Sequence, residues 1–292
     1  MDAPNNSSSS GDDSKAAEVF LFADGRRYHN TPNCPYVLPN DLEEIDRLEV
    51  QYYAIQQVTQ KRYHVPLNNP KRIIDIGIGT GVWMRETALD FPECEFTGID
   101  ITPLPETTVM PANCNFKLAN VLEGLAYADG HFDFVRHSLL IAGIPKDKWP
   151  FYVKECMRLC ASGGWVEMTE TNAKIHGGGA ATKKLSAFAP ECFRARGLSP
   201  EIADTLDDLM REAGLVDVEA REFKVPLGKR GGKAGELLLR NFLMGQAMLT
   251  PLYVSVYGIT REEAEQTIQQ AADEFEVQDA YAVFRVCFGR KP

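Results

Sequence analysis

Arg72-Ile73-Ile74-Asp75-Ile76-Gly77-Ile78-Gly79-Thr80-Gly81 is the stretch whose reading decides the fold. An apolar, β-branched run of strand length breaks into three alternate glycines, and a helical pattern starts at Val82. That is a strand, a tight turn and a helix N-terminus. The missing side chains at Gly77, Gly79 and Gly81 let a ligand lie against the backbone. A second apolar run, Phe96-Thr97-Gly98-Ile99, ends in Asp100, nineteen residues after Gly81. A doubly wound sheet puts a carboxylate at that point to accept hydrogen bonds from ribose hydroxyls. The two runs together describe half of a nucleoside-binding crevice.

The glycine spacing separates two cofactor classes. In G-x-G-x-x-G the third glycine comes one residue later than Gly81 does, and the helix dipole there faces a pyrophosphate. Asp75, two residues before Gly77, would repel a pyrophosphate but favours a cationic ligand or an ammonium group. An NAD(P)-dependent oxidoreductase is therefore disfavoured. This D-x-G-x-G-x-G arrangement resembles the first motif of class I S-adenosylmethionine (SAM)-dependent methyltransferases, and Asp100 resembles their second. The resemblance implies SAM as cofactor, since SAM carries both a sulfonium and an amino group.

Composition suits one globular core with additions: 292 residues, 44% apolar and 25% charged. A net charge of −10 gives no general attraction to phosphate backbones, which argues against nucleic acid as substrate. Seven cysteines without paired C-x-x-C spacing read as reduced thiols rather than a disulfide frame, so a cytoplasmic location is expected, with the nucleus open. No signal-peptide pattern or long apolar run points to a membrane.

Along the chain, residues 1–15 are polar and Ser-rich and read as a disordered tail. Residues 16–65 form an N-terminal cap, with a short extended segment over 18–28 and a helix starting at Asn40 or Asp41 and running to about Tyr63. The core is expected over 66–225: strands 72–76, 95–99, 114–118, 132–137, 164–169 and 216–225, and helices 81–91, 147–160 and 200–214. Residues 226–279 are a helical insertion of two or three segments, a lid or substrate wall. Residues 280–292 add the last core strand. The fold class is α/β: a Rossmann-like seven-stranded sheet with a cap and an insertion before the last strand.

A narrower resemblance rests on Leu38-Pro39-Asn40-Asp41, Thr80-Gly81-Val82-Trp83, Phe132-Asp133-Phe134-Val135, Gly163-Gly164-Trp165-Val166-Glu167 and Gly289-Arg290-Lys291-Pro292. These resemble fungal methyltransferases related to the velvet-complex regulator of secondary metabolism. The likeness implies cofactor contacts at Asp75, Gly77, Gly79, Gly81, Asp100, Ile101, Asn120, Val121 and Arg136. Two departures stand out. Relatives often carry an acid after the third strand to meet the adenine amino group; here Asn120 offers an amide carbonyl instead. After the fourth strand stands Arg136-His137-Ser138, which sets an imidazole near the cofactor.

Methyl transfer from a sulfonium requires alignment, exclusion of water and, for a neutral nucleophile, a base. A carboxylate nucleophile needs only a donor or cation to orient it. His137, His176 and Glu170 are the candidate catalytic residues, with Glu170 expected at the rim of the site and Glu167 either structural or facing the neighbouring helix. Lys229, Arg230 and Lys233 form a basic loop that is either a solvated turn or a clamp for an anionic substrate. Cys156 and Cys160 share a helical face but lack a second ligand pair, so no metal is expected. The expected function is O-methylation of a small molecule, on a carboxylate or a hydroxyl. A regulatory protein that keeps the fold and works through protein partners is the alternative, and a homodimer stays open.

Overall fold

The computed structural model describes residues 20–292 except Asn33 and Glu106. The expected tail over 1–15 lies outside the described residues. Asp24 and Gly25 both take positive φ, 50° and 73°, the pair of left-handed residues that a tight hairpin turn demands. They join β1 (Phe20–Ala23) to β2 (Arg26–His29) as an antiparallel hairpin, where the sequence alone suggests only an extended segment. Asp41 then caps α1 (Leu42–Thr59), its carboxylate accepting the Glu44 N–H at 3.2 Å. The helix stops short of Tyr63 because Gln60 turns left-handed at φ 53° and returns its N–H to the Gln56 carbonyl.

The main sheet has seven strands: β3 (Arg72–Ile76), β4 (Glu95–Asp100), β5 (Cys114–Leu118), β6 (Phe132–Ser138), β7 (Cys160–Gly177), β8 (Val216–Pro226) and β9 (Ala280–Arg290). Their order is β5-β4-β3-β6-β7-β9-β8, with β3 to β7 parallel and β9 antiparallel between β7 and β8. The order in which successive strands are added reverses between β3 and β6. A crevice opens at that switch point, at the carboxyl ends of the strands. β3 and β6 are central because both their faces are apolar: Ile73, Ile74, Phe134 and Val135 are fully buried.

α2 (Val82–Ala88), α3 (Trp149–Leu159) and α5 (Ile202–Glu212) follow the strands much as the periodicity predicts. Two features differ. β7 continues past Thr169 to Gly177, and α4 (Ala180–Ala195) follows where the sequence suggests no element. The insertion is two helices, α6 (Gly232–Tyr257) and α7 (Arg261–Val277), because Pro251 sits inside one continuous helix instead of dividing it. α1 packs along α6, which brings the N-terminal cap and the insertion together above the sheet. Among the described residues no helix is long and apolar enough to cross a membrane.

Candidate active site

Gly77, Gly79 and Gly81 sit at φ 71°, 55° and 74°, a left-handed series that side chains resist. At Gly77 a Cβ would also lie 2.3 Å from Leu140 Cδ2, so that side chain would have to shift as well. The last residue of β4 ties this loop down. Asp100 accepts the Gly79 N–H on Oδ2 at 2.9 Å, and the Thr102 N–H and hydroxyl on Oδ1 at 3.0 Å each. Burial pushes the Asp100 carboxyl above its ordinary range, and these donors offset only part of that rise. Three bonds leave part of its acceptor capacity open.

A cleft of about 1270 Å³, counting the solvent open to it, runs over this loop. Gly77, Gly79, Asp100, Ile101, Asn120 and Val121 line it, as does the cap through Tyr36, Glu44 and Leu48. Asp75 and Arg136 face a second, more polar cleft of about 770 Å³ on the other side of the glycine loop, and Gly81 lines neither. Arg136 Nη1 donates to Asp75 Oδ1 at 2.6 Å, and its guanidinium lies over the Trp83 ring at 4.1 Å. Its Nε is buried without a partner among the described residues. The amide carbonyl of Asn120 is already engaged, capping a short 3-10 turn by accepting the Leu122 N–H at 3.0 Å. The expected contact from Asn120 to a ligand would use the second lone pair of that oxygen, and Asn120 lines the crevice.

The three catalytic candidates separate. His137 is enclosed, 1% exposed, and lines none of these clefts. Its Nδ1 lies 2.8 Å from the Tyr152 hydroxyl and its Nε2 3.2 Å from Glu170 Oε1. Glu170 is fully buried and not at a rim, because β7 runs on past it; its Oε1 accepts the Leu140 N–H at 2.6 Å. Glu170 therefore holds the turn after β6 through the Leu140 N–H, with His137 beside it. His176 stands elsewhere, stacked on Tyr281 at 4.9 Å and lining a shallow outer cleft. Glu167 faces the polar cleft, accepts the His64 N–H at 2.6 Å and is pushed by burial to a pKa of about 7. In the basic loop, Arg230 pairs with Asp279 and donates to the Val277 carbonyl, away from the crevice.

A third cavity, about 960 Å³, lies under the insertion. Its walls are mainly apolar, among them Ile141, Ile175, Phe193, Leu238, Phe242 and Phe284. It meets the crevice at Tyr36, Leu48, Gln51 and Leu139, which line both. Leu48 and Gln51 reach the polar cleft as well. Sequence reasoning missed Gln51 and Leu139. The first had a signal, since Leu48, Gln51, Tyr52 and Ile55 recur at helical spacing on α1. Leu139 had none: its φ of 57° is set by the turn leaving β6, where its N–H bonds the Thr169 carbonyl at 2.8 Å.

The model of the methyltransferase domain family matches residues 49–220 of the chain. The chain is similar to Methyltransferase pytC of Aspergillus terreus, 28% identical over 97% of this chain and 92% of that protein. It is also similar to the secondary metabolism regulator laeA of Coprinopsis cinerea, 34% identical over 52% of this chain and 39% of that one. Among solved structures, phosphoethanolamine N-methyltransferase 2 of Haemonchus contortus with S-adenosyl-L-methionine aligns with a TM-score of 0.50 at 16% identity, covering 91% of this chain and 55% of that one. That last likeness is one of fold.

Proposed function

This chain belongs to the methyltransferase domain family and is a SAM-dependent methyltransferase, and from that premise we propose that it methylates an oxygen of an apolar small molecule in fungal secondary metabolism. The residues suit SAM. Asp100 keeps acceptor capacity for a ribose hydroxyl, Ile101 and Val121 offer apolar walls to a base, and Gly77 and Gly79 leave the backbone bare. In the polar cleft beyond the loop, the unpartnered Arg136 Nε and the Asp75 carboxylate face the place of an amino-acid end. SAM, when bound, supplies a methyl group on a sulfonium, an electrophile that needs alignment more than activation.

One observation carries the choice of acceptor. Among the described residues, no His, Asp or Glu side chain lines the apolar cavity that meets the crevice at Gln51 and Leu139. A neutral hydroxyl has no carboxylate or imidazole there to take its proton, whereas a carboxylate arrives ionised. Burial holds the Tyr36 phenol well above its ordinary pKa, so it stays a donor, and with the Gln51 amide it can orient an acceptor oxygen. The surrounding apolar walls exclude water. This favours a carboxylate over a hydroxyl acceptor, and a cytoplasmic setting suits such a small-molecule reaction.

The test is turnover of SAM with a panel of aromatic and aliphatic acids, phenols and amines, read as methylated product by mass and by lability to alkali. Methyl esters from the acids are the expected outcome. Products confined to phenols would replace the carboxylate by a hydroxyl, and products confined to amines would overturn the oxygen reading. Similarity to a secondary metabolism regulator supports a second reading, a role through protein partners, and no turnover on any acceptor alongside intact SAM binding would favour it.

A further inference from the structure

The acceptor cavity contains a cation that its apolar walls do not explain. Most of its polar side chains are committed within the protein. Arg47 is held by Glu44 and by Asn241 Oδ1, the Thr171 hydroxyl donates to the Val283 carbonyl, and Gln246 Oε1 accepts from the Tyr253 hydroxyl. Lys174 is different. Among the described residues no carboxylate comes within ion-pair distance of its ammonium, yet it lines this cavity.

The backbone around Lys174 is distorted to put it there. β7 and β9 pair Thr171 with Phe284 and next Ile175 with Ala282, so two extra residues bulge out of β7 between the matched pairs. Ala173 within the bulge adopts φ 53°, which an L-residue takes at a cost, and the Asn172 carbonyl Oδ1 accepts the Lys174 N–H at 3.3 Å. A bulge re-aims side chains that a regular strand would send to alternate faces. Both Ala173 and Lys174 line the cavity as a result. Lys174 also lines the shallow outer cleft, and it lines neither the cofactor crevice nor the polar cleft. It therefore marks the outer end of the cavity, opposite the junction at Gln51 and Leu139.

We propose that Lys174 is a specificity-determining residue that pairs with an acidic group of the acceptor, a carboxylate carried at the end remote from the oxygen that is methylated. The inference rests on reading this cavity as the acceptor site. It narrows the acceptor to an apolar molecule that is polar at both ends.

Full-length protein saturated with S-adenosylhomocysteine, so that the crevice is filled, is titrated with two fluorescent probes: 8-anilinonaphthalene-1-sulfonate, apolar and anionic, and N-phenyl-1-naphthylamine, its neutral counterpart. Lys174→Met should weaken the anionic probe roughly ten-fold, the loss of one charge-assisted contact, and leave the neutral probe unchanged. Lys174→Arg should restore the preference. Lys183→Met, which removes a cation lining only the outer cleft, should leave both affinities alone. In the unaltered protein, dodecanoate should displace the anionic probe at concentrations where dodecanol does not. An unchanged ratio of probe affinities in Lys174→Met, an equal loss in Lys183→Met, or equal displacement by acid and alcohol would each overturn the proposal. Failure of the oxygen-methylation reading looks different: no methyl ester or ether from any acceptor while these ratios hold.

Discussion

Arg136 and Asp75 stand side by side on neighbouring parallel strands, in register, with 2.6 Å between Nη1 and Oδ1. The acid of the glycine motif is therefore matched by a cation before any ligand arrives. Its role shifts from attracting a positive group to anchoring a donor, Arg136, beside the loop. Two β-strands and one ion pair thus fix the floor of the polar cleft.

Removing one partner of this pair strands the other. Arg136→Met should destabilise the protein by roughly 3–5 kcal/mol, as breaking a buried pair generally does. Asp75→Asn added to it should recover much of the loss. Burial already raises the Asp75 carboxyl, and without Arg136 it rises further. The folded variant then binds a proton that the unfolded chain does not, so its deficit should shrink as pH falls from 8 toward 5. Urea unfolding at both pH values checks this; a deficit independent of pH would show that Asp75 is not the stranded charge.

Asp100→Ala should weaken SAM by about one to two decades, from the loss of charge-assisted hydrogen bonds worth roughly 1.5–3 kcal/mol. The same change frees the Gly79 N–H, so some of the loss will come from a looser loop. Calorimetry gives the affinity. Unchanged binding would remove Asp100 from the cofactor site.

Glu167 makes stability depend on pH in the direction opposite to most carboxylates. Its folded pKa of about 7 lies above the unfolded value of 4.5, because burial outweighs the backbone donors from His64 and Val65 and the charge of Arg136. Between those values the folded state holds the extra proton, so the contribution of Glu167 to stability is full below about 4.5 and is lost as pH rises to about 7, a change of about 3 kcal/mol. Glu167→Gln should flatten that part of the profile and leave the variant more stable than the parent at pH 8. Denaturant midpoints from pH 4.5 to 8 measure it, and a slope that survives the substitution would assign it to another group.

His137→Ala tests whether a buried imidazole takes part in proton transfer. The substitution leaves the Tyr152 hydroxyl and Glu170 without their neighbour in a sealed interior, at a cost of about 3 kcal/mol. The acidic limb of the turnover profile should keep its position, since His137 lines none of the clefts. Disappearance of that limb would make His137 the base and overturn the carboxylate acceptor.

The strands of the cofactor half are legible in the sequence because their signals are local. Ile73, Ile74 and Ile76 before three glycines fix β3 to the residue, and β5 likewise matches its expected bounds. α4 escapes because it starts after glycines with no side-chain cap and contains Pro190, all marks of a loop. Its apolar face, Leu185, Phe188, Ala189 and Cys192, makes sense only once β7 and α7 are in place to cover it. Glu170 was expected at a rim for a related reason: where a strand ends depends on its partner, and β9, more than a hundred residues downstream, carries β7 on to Gly177. The acceptor cavity draws residues from Tyr36 to Phe284 and is invisible to any short window.

The hydrogen bond from Arg47 to Asn241 joins residues 194 positions apart. Cap and insertion emerge from synthesis at opposite ends of the process, and neither Glu44 nor Arg47 has its final burial until α6 arrives. Closing so long a loop is entropically slow, so the parallel strands β3 to β6 and their glycine loop can assemble before the roof does, while β9, which follows the insertion in the chain, completes the sheet only afterwards. A nascent chain halted before residue 232 would carry the nucleoside half of the crevice and no acceptor chamber. On the proposed reading, the ability to hold an acceptor is therefore acquired after the ability to hold the nucleoside.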